Sequence, residues 1–546
     1  MIYSLYSKRY VAVLTVIVGI LYLFSGRAMA LEYEYLLQSE WGGGGMSTLI
    51  VRNNTDAPVT HWQVNFSWLG DEHVDFAWNA TVNQSGNTVT ATCNPSFCVI
   101  PPGEAKAFGF VFSASQKSII PTSIVVKADG GATEPPGPVT PTPELPTTPP
   151  NTIVHDQFNY VLGTQTIYPL YGFTNDGRLV ETAKEIKSLG SNLLKFSLSP
   201  YSYQDLVTNY QSYAYQFVKL ARDVPDFKQV LDMDFAYYMI WLEDSGHWMD
   251  NNGMDQQELD LQYSKIYNLA EYLLTTYNNT GKTFMFGNWE LDWQLVKTVE
   301  VDPATGNSVE RYDDSVVELP DLRIQGLIDF LNIRQKAIDD ALANVPHNNV
   351  SILQYIEVNR VESAMQGKER VTNMVLPHTN ADLVSYSAYD IPNKAENADI
   401  NKLDAAMTDA LNFIDSHLPA KAGVPFDNRV FIGEYGYASS WFLDHGDKAG
   451  ETQALLTKGM MKVALNWGTP FILYWQIYDN EWDGYLQNYR GFWLVDQNGV
   501  KQPSYFLHQN FLTQAKAWVA DFTALHDRPP TSEEYRQQAL KIIDAL

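Results

Sequence analysis

Residues 403–436 read LDAAMTDALNFIDSHLPAKAGVPFDNRVFIGEYG. Their pattern, a helix followed by a strand, decides the fold. Leu403, Met407 and Leu411 recur at the spacing of one helix face, and residues 429–433 form a short apolar strand. The same order repeats from residue 153 onward, with strands expected near residues 168, 193, 230, 284, 352, 384, 430 and 472. Eight such units predict a (β/α)8 TIM barrel, whose active site lies at the C-terminal ends of its strands.

A doubly wound open α/β sheet is the alternative to the barrel for these strand–helix units. No glycine-rich phosphate loop follows the first expected strand, and this absence from the sequence favours the barrel. The barrel domain is expected to cover residues 153–546, and its tail from Thr531 to Leu546 has the signature of a capped helix.

The chain ahead of the barrel divides into three segments. Residues 1–30 have a basic start, an apolar run and the sequence Ala28-Met29-Ala30, which together predict a cleaved export signal; a membrane anchor is the alternative. Residues 31–128 carry short strand patterns separated by turn residues, which predict an antiparallel β-sandwich. Residues 129–152 include eight prolines and predict an extended linker. The protein is therefore expected to be a secreted, extracellular, multidomain protein.

The composition excludes some function classes and favours another. The net charge of −26 disfavours nucleic acid and anionic lipid as partners, because both would be repelled. Aromatic residues make up 13% of the chain, including 14 Trp and 32 Tyr, which suits a protein that stacks rings on a neutral ligand such as a sugar. We expect no membrane association after removal of the signal, and a monomer.

The two cysteines, Cys93 and Cys98, are too few for a cysteine-rich zinc site. Since an exported protein meets an oxidising environment, they are expected to form a local disulfide; two free thiols are the alternative. His445 has no partner at metal-ligand spacing, so no metal or cofactor is expected.

The segment 31–128 resembles a family 2 carbohydrate-binding module. The resemblance rests on Trp41-Gly42-Gly43, on residues 59–64 (VTHWQV), on residues 100–103 (IPPG) and on the block 77–86 (AWNATVNQSG). It implies a β-sandwich that binds cellulose or xylan through exposed rings. Trp41 and Trp78 match two of the three binding tryptophans of that family. The third would fall near the Cys93–Cys98 loop, where the aromatic residue of this sequence is Phe97. The usual disulfide of the family joins the ends of the module, whereas the cysteines here are close in sequence.

Two glutamates follow apolar strands of the expected barrel. Residues 283–290 (TFMFGNWE) end in Glu290, and residues 430–436 (VFIGEYG) place Glu434 between glycines. Glycosidic bond cleavage needs one carboxylic acid and one carboxylate on opposite faces of the bond, and both should sit at strand ends. A surface ion pair is the alternative role for each glutamate. Asp232 and Asp234 are rival carboxylates, placed by the expected strand boundaries at the end of strand three.

These glutamates and their surroundings resemble clan A glycoside hydrolases, which are retaining (β/α)8 enzymes. The resemblance implies that Glu290 is the acid/base at strand four and Glu434 the nucleophile at strand seven. It also implies that Tyr389 hydrogen-bonds the nucleophile and that Trp475 floors the reacting subsite. The clan usually places Asn directly before the acid/base, whereas here Trp289 separates Asn288 from Glu290.

Aromatic residues follow several of the expected strands and could line the rim of a cleft. Trp241, Trp441 and Trp482 are expected to bind substrate beside Asn288, Tyr389 and Trp475. The sequence therefore predicts a secreted retaining hydrolase of plant cell-wall β-glycans, such as cellulose, xylan or a related β-1,4-linked polysaccharide, held on its substrate by the small module. An inactive carbohydrate-binding or scaffold protein is the alternative, and an inverting or transglycosylating enzyme is a third possibility.

Overall fold

The computed structural model describes residues 31–41, 44–68, 70–95, 97–114, 121–128, 157–213, 215–244, 252–301, 308–394 and 399–546. The export signal predicted at 1–30 and the linker predicted at 129–152 lie outside these residues. The chain divides into two compact units, residues 1–147 and 148–546. In the described residues, no helix combines the length and apolarity needed to cross a bilayer.

The first unit is a β-sandwich of two antiparallel four-stranded sheets. Its strands are β1 (Leu31–Trp41), β2 (Gly44–Asn53), β3 (Trp62–Ser67), β4 (His73–Trp78), β5 (Ala80–Ser85), β6 (Thr88–Cys93), β7 (Ala105–Ser113) and β8 (Thr122–Ala128). One sheet has the order β1-β2-β7-β4 and the other the order β5-β6-β3-β8. The predicted sandwich is therefore present, with each sheet contributing alternate residues to a shared core.

The core of the sandwich is aromatic. Trp62 is fully buried and stacks on Phe108 with ring centroids 5.6 Å apart, while Phe66 stacks on Phe110 at 5.7 Å. The Trp62 indole N–H donates to the carbonyl of Phe97 at 3.0 Å, which ties the loop after β6 to the core. A disulfide joins Cys93 and Cys98 and closes the same loop.

The second unit is built on a closed barrel of eight parallel strands. The whole unit contains the barrel strands and four hairpin strands, which in chain order are β9 (Leu162–Thr166), β10 (Leu193–Ser197), β11 (Tyr237–Trp241), β12 (Thr283–Gly287), β13 (Lys297–Val301), β14 (Ser308–Tyr312), β15 (Ser351–Val358), β16 (Leu383–Ser387), β17 (Val430–Tyr435), β18 (Ile472–Tyr474), β19 (Trp482–Asp483) and β20 (Asn488–Tyr489). The barrel runs β9-β10-β11-β12-β15-β16-β17-β18 and closes back on β9. Two antiparallel hairpins, β13–β14 and β19–β20, follow the fourth and eighth barrel strands.

Helices surround the barrel. They are α1 (Arg178–Ser188), α2 (Val207–Tyr210), α3 (Phe217–Asp223), α4 (Pro225–Asp232), α5 (Gln256–Thr276), α6 (Leu291–Leu295), α7 (Asp321–Asn344), α8 (Val361–Met365), α9 (Ile400–Ser416), α10 (Ala449–Trp467), α11 (Pro503–His526) and α12 (Ser532–Ala545). The barrel strands are buried on both faces, because helices cover the outside and side chains fill the interior.

One of the eight predicted strand positions is wrong, and one is displaced by two residues. Residue 230 lies in α4, because Phe227, Val230 and Leu231 have helical spacing behind Pro225, and the third strand is β11 instead. The first strand is β9, which ends at Thr166, two residues before the predicted position.

The shift of strand three moves the rival carboxylates away from the site. Asp232 ends α4, where it accepts from Lys228 at 2.5 Å and from the Tyr277 hydroxyl at 2.9 Å. Asp234 is largely exposed and pairs with Lys187 at 3.6 Å. Both residues precede β11 and so lie at the N-terminal end of the barrel, opposite the end expected to hold the active site. Trp241, expected at the rim of the cleft, is the last residue of β11.

The last helix covers the N-terminal end of the barrel. The predicted cap of α12 is present: the Thr531 side chain accepts from the backbone of Glu534, and Glu534 bonds back to the backbone of Thr531. Tyr535 of α12 is buried, its hydroxyl donates to the carbonyl of Tyr160 at 2.8 Å, and its ring packs edge-on against Phe158 at 5.0 Å.

Candidate active site

Glu434 lies near the C-terminal end of β17 and points into the barrel. Its side chain is almost fully buried, and one oxygen accepts from the ammonium of Lys195 at 3.0 Å. The other oxygen accepts from the Tyr389 hydroxyl at 3.2 Å. The preceding Gly433 lies where the pairing of β16 with β17 slips, and a Cβ atom there would meet the Ser385 hydroxyl at 1.8 Å. Glycine at 433 therefore allows β17 to approach β16 closely beside the glutamate.

Glu290 lies between β12 and α6 in an unusual backbone conformation. Its φ of 22° and ψ of 70° fall in a region that L-residues seldom adopt. Its backbone N–H donates to Glu357 Oε1 at 3.1 Å, and its carboxylate accepts from the Asn359 amide at 3.4 Å. Strained residues of this kind persist where surrounding contacts hold them, and they concentrate at functional sites.

A buried ammonium lies between Glu434 and a third glutamate, Glu357. Lys195 of β10 donates to Glu357 at 2.9 Å, to Glu434 at 3.0 Å and to the carbonyl of Gly433 at 3.1 Å. Its ammonium lies 4.4 Å from the ring centroid of Trp241. Glu357, at the end of β15, also accepts from the Ser385 hydroxyl at 3.0 Å. Strands two, five, six and seven of the barrel therefore meet in one hydrogen-bonded network.

The electrostatics of the network differ between the two glutamates. Burial raises the pKa of Glu290 well above its usual range, and the charges of Glu434 and Glu357 raise it further. The pKa of Glu434 is also raised by burial and by the charge of Glu357, but the Lys195 ammonium and the hydrogen bonds from Lys195 and Tyr389 reduce this rise. Burial alone would lower the pKa of Lys195, yet Glu357 and Glu434 outweigh it and the pKa is raised. As the pH falls, Glu290 therefore takes up a proton before Glu434 does.

The other residues expected at the site are distributed between the cleft and its support. The hydroxyl of Tyr389 reaches Glu434, as the resemblance implies. The amide of Asn288 is engaged elsewhere: it donates to the carbonyl of Leu242 at 3.1 Å and accepts from Arg334. Asn288 therefore ties β12 to the loop after β11 and to α7, while the amide beside Glu290 belongs to Asn359.

Two of the expected tryptophans form one wall of the barrel mouth. The rings of Trp241 and Trp475 lie 6.4 Å apart between centroids, and both side chains are buried. The peptide bond between Trp475 and Gln476 is cis. Trp241 packs against Trp475 and Lys195, so it supports the wall from inside.

Two other tryptophans stand at the rim. Trp441 is 46% exposed and packs edge-on against Phe492 at 5.5 Å, and Phe492 in turn contacts Tyr389 at 6.3 Å. Trp482 is 43% exposed at the start of the β19–β20 hairpin and packs edge-on against Tyr489 at 5.2 Å. Both rings are partly exposed to solvent, which suits stacking on a sugar.

Sequence reasoning missed Lys195, Glu357 and Asn359. The signal for Lys195 is a lysine inside the strand Leu193–Ser197, where every residue is buried and a charge requires a partner. The signal for Glu357 and Asn359 is the run QYIEVN, residues 354–359, in which polar groups end an apolar strand. The strand-end rule applied to Glu290 and Glu434 would have found both.

The predicted binding residues of the first unit are only partly described. The side chains of Trp41 and Trp78 lie outside what the structure describes, as does that of His445 in the second unit. Phe97 is half-buried. Within the described part of the chain, the one group of potential metal ligands is His61 with Cys93 and Cys98, and the disulfide occupies both sulfur atoms.

Comparison with known proteins adds a family for the first unit. The family model of the cellulose binding domain, family 2, matches residues 31–131. Endoglucanase E-5 of Thermobifida fusca is 32% identical over 141 residues, which is 25% of this chain and 30% of that enzyme. Endoglucanase CelA of Streptomyces lividans is 33% identical over 140 residues, which is 24% of this chain and 30% of that enzyme. The chain therefore matches less than a third of the length of either relative.

Among solved structures, the chitin-binding domain of Chi18aC from Streptomyces coelicolor is similar at 26% identity. It covers 19% of this chain and 100% of its own, with a TM-score of 0.17.

Fold and site together define a two-part protein, a carbohydrate-binding β-sandwich followed by a closed parallel barrel with buried glutamates at its C-terminal end. Its first unit is a family 2 cellulose binding domain, which confirms the resemblance found in the sequence.

Proposed function

We propose that this protein is a secreted retaining glycoside hydrolase that cleaves β-1,4-linked plant cell-wall polysaccharides such as cellulose or xylan. In this proposal Glu434 is the nucleophile, Glu290 is the acid/base, and the cellulose binding domain holds the enzyme on its insoluble substrate. Attachment raises the local concentration of the barrel at the polymer surface without adding contacts to the reaction.

One observation carries the proposal: Glu290 and Glu434 are buried at the ends of strands four and seven, and only Glu434 accepts hydrogen bonds from an ammonium and a phenol. Glu434 contacts an ammonium and a hydroxyl donor, which favour its ionised form. Glu290 receives its main influences from burial and from two negative charges, which favour its protonated form. A retaining glycosidase needs this division between a carboxylate nucleophile and a carboxylic acid.

The first step would form a covalent glycosyl-enzyme. A carboxylate oxygen of Glu434 attacks the anomeric carbon, and a new C–O ester bond forms. The bond between the anomeric carbon and the glycosidic oxygen breaks, and that oxygen takes the proton of Glu290 as it leaves. The Tyr389 hydroxyl, bonded to the other oxygen of Glu434, holds the nucleophile in orientation.

The second step would release the sugar and restore the enzyme. Water attacks the anomeric carbon from the side the leaving group vacated, and Glu290, now ionised, takes its proton. The ester bond to Glu434 breaks, and the product keeps its original configuration. Glu290 is again protonated and Glu434 is again a carboxylate.

The first experiment measures reducing-sugar release by the full chain from cellulose, xylan, mannan, xyloglucan and mixed-linkage glucan. The expected result is release from one polymer class, lost in Glu434→Gln and Glu290→Gln. Glu362→Gln is the matched control, because Glu362 follows β15 on the same face of the barrel but pairs with Lys394. No release from any polymer, with cellulose binding intact, would favour the inactive scaffold.

The second experiment separates the two glutamates with azide and an aryl β-glycoside that has a good leaving group. In Glu290→Ala, azide should enter the space of the acid/base and yield a β-glycosyl azide. In Glu434→Ala, azide should replace the nucleophile and yield an α-glycosyl azide. The opposite products would reverse the two roles, and rescue of neither variant would contradict the retaining mechanism.

A further inference from the structure

Lys195 spans the inside of the barrel without reaching solvent. Its side chain is 0% exposed, and its ammonium donates to a Glu357 oxygen, a Glu434 oxygen and the Gly433 carbonyl, all within 3.1 Å. An ammonium has three N–H donors, so all of them are used. Lys195 therefore has neither the exposure nor a free donor to bind a substrate.

Glu357 connects this ammonium to the backbone of the acid/base. Its side chain is also 0% exposed. One oxygen accepts from Lys195 and from the Ser385 hydroxyl, while the other accepts from the backbone N–H of Glu290 at 3.1 Å. That N–H belongs to the residue with the positive φ. Contacts therefore run from the Glu434 carboxylate through Lys195 and Glu357 to the Glu290 main chain.

The charges in this space do not balance if every carboxyl group is ionised. The titratable groups that face one another are Lys195, Glu290, Glu357 and Glu434, with the hydroxyls of Tyr355 and Tyr389 beside them and Glu481 facing Tyr389. Lys195 is the one ammonium among these groups. Burying three carboxylates against a single ammonium leaves two uncompensated negative charges, which is very unfavourable in a dry site. Glu290, which has no contact with Lys195 in the described hydrogen bonds, is the member best placed to take a proton.

We infer that Lys195 and Glu357 are positioning residues, which keep Glu434 ionised, leave the proton on Glu290, and fix the main chain of Glu290 for proton transfer. This inference rests on the proposed hydrolase function and deepens it. In this inference, two residues outside the substrate cleft determine which glutamate is ionised and which is protonated.

The pH profile of hydrolysis gives the first test, because the two residues carry opposite charges. Lys195→Met removes the positive charge that lowers the pKa of both Glu434 and Glu290, so both limbs of the bell-shaped profile should move to higher pH. Glu357→Gln removes a negative charge that raises both pKa values, so both limbs should move to lower pH. The acid limb of Lys195→Met should move by about one pH unit or more, because the Lys195 ammonium lies 3.0 Å from the Glu434 carboxylate.

Lys282→Met is the matched control. Lys282 is a buried lysine of the same barrel, just before β12, where it donates to the Leu231 carbonyl at 2.9 Å and to the Tyr238 hydroxyl at 3.0 Å. This variant should lose stability and leave the pH profile in place. A fall in kcat without a displaced profile in both Lys195→Met and Glu357→Gln would overturn the inference. If Lys195→Met does not fold, the isosteric Glu357→Gln decides alone.

An infrared measurement tests the same inference without relying on activity. The full chain is labelled with 13C at the glutamate carboxyl groups. The intensity of the C=O stretch of protonated carboxyl groups then gives the number of glutamates that keep a proton at neutral pH. Lys195→Met should add one buried protonated glutamate relative to the unsubstituted protein, and Lys282→Met should add none. An unchanged count in Lys195→Met refutes the charge assignment. An added proton in a protein that hydrolyses no glycan refutes the proposed function alone.

Discussion

At the scale of single residues, the site depends on a few atoms whose removal or addition can be predicted. Tyr389 donates a hydrogen bond to Glu434. Gly433, the residue before Glu434, has no Cβ atom and so leaves room for the Ser385 hydroxyl. Glu290 and Glu434 could be predicted from the sequence, because a carboxylate directly after an apolar strand lies at the end of a barrel that carries the active site. Lys195 and Glu357 were not predicted, since their roles depend on contacts across the barrel between strands far apart in sequence.

Tyr389→Phe removes the hydroxyl that donates to Glu434 at 3.2 Å. That hydrogen bond lowers the pKa of Glu434, so its loss should raise this pKa and move the acid limb of the pH profile to higher pH. We expect kcat to fall roughly tenfold at the optimum, the scale of a lost hydrogen bond to a charged group. An initial-rate profile over pH checks both effects, and an unmoved acid limb would contradict them.

Gly433→Ala adds a methyl group that would meet the Ser385 hydroxyl at 1.8 Å. Since both neighbours lie in packed strands, we expect a loss of about 1–3 kcal/mol in the free energy of unfolding, together with lower activity. Denaturant titration measures the first effect. Gly484→Ala is the control, because no heavy atom lies within 4 Å of its added Cβ and its φ is not positive. Equal stability of the two variants would refute the packing argument.

At the scale of elements, the sequence predicted seven barrel strands near their true positions and misplaced one. Strand β17 follows a clear helix and has an unbroken apolar run, so its position was predictable. The third strand was placed inside α4, because Val230 and Leu231 look like a strand until the helical spacing from Phe227 and the start at Pro225 are counted. The hairpins β13–β14 and β19–β20 were not predicted, because the two strands of each pair only with each other and lack the strand–helix repeat of the barrel.

The β19–β20 hairpin presents Trp482 beside the barrel mouth, supported by Tyr489. Trp482→Ala should weaken binding of long chains by about 1 kcal/mol, the contribution of one stacked ring, and should raise KM several-fold on soluble polymer. KM on a short aryl glycoside should not change, because that substrate does not extend to the rim. Tyr485→Ala is a comparison at the tip of the same hairpin, where the side chain is 95% exposed. Equal effects of Trp482→Ala on both substrates would contradict a rim subsite.

At the scale of the whole molecule, the proposed function assigns adsorption to the cellulose binding domain and catalysis to the barrel. The family of the first unit was predictable from its motifs, because each is a short contiguous stretch that can be compared directly in sequence, such as residues 59–64 and 77–86. The barrel was predictable from repetition alone. The arrangement of its interior was not, because which side chains meet across a closed barrel depends on register, which periodicity does not report.

The double variant Trp41→Ala/Trp78→Ala in the full chain tests this division. Two rings at ~1 kcal/mol each predict a loss of cellulose affinity of more than tenfold, measured by depletion from a suspension. Sugar release from insoluble cellulose should fall, while release from a soluble derivative should stay at the level of the unsubstituted protein. A parallel loss on both substrates would contradict the separation of roles.

The contact between Tyr535 and Tyr160 also has a consequence for how the chain is made. The first barrel strand begins two residues after Tyr160, whereas Tyr535 in the helix that covers this end is synthesised 375 residues later. During synthesis the Tyr160 carbonyl therefore gains this hydrogen bond only after the intervening residues up to Tyr535 have been made. Early and late segments of the barrel close on each other, so the ring is sealed only after nearly all of it has emerged.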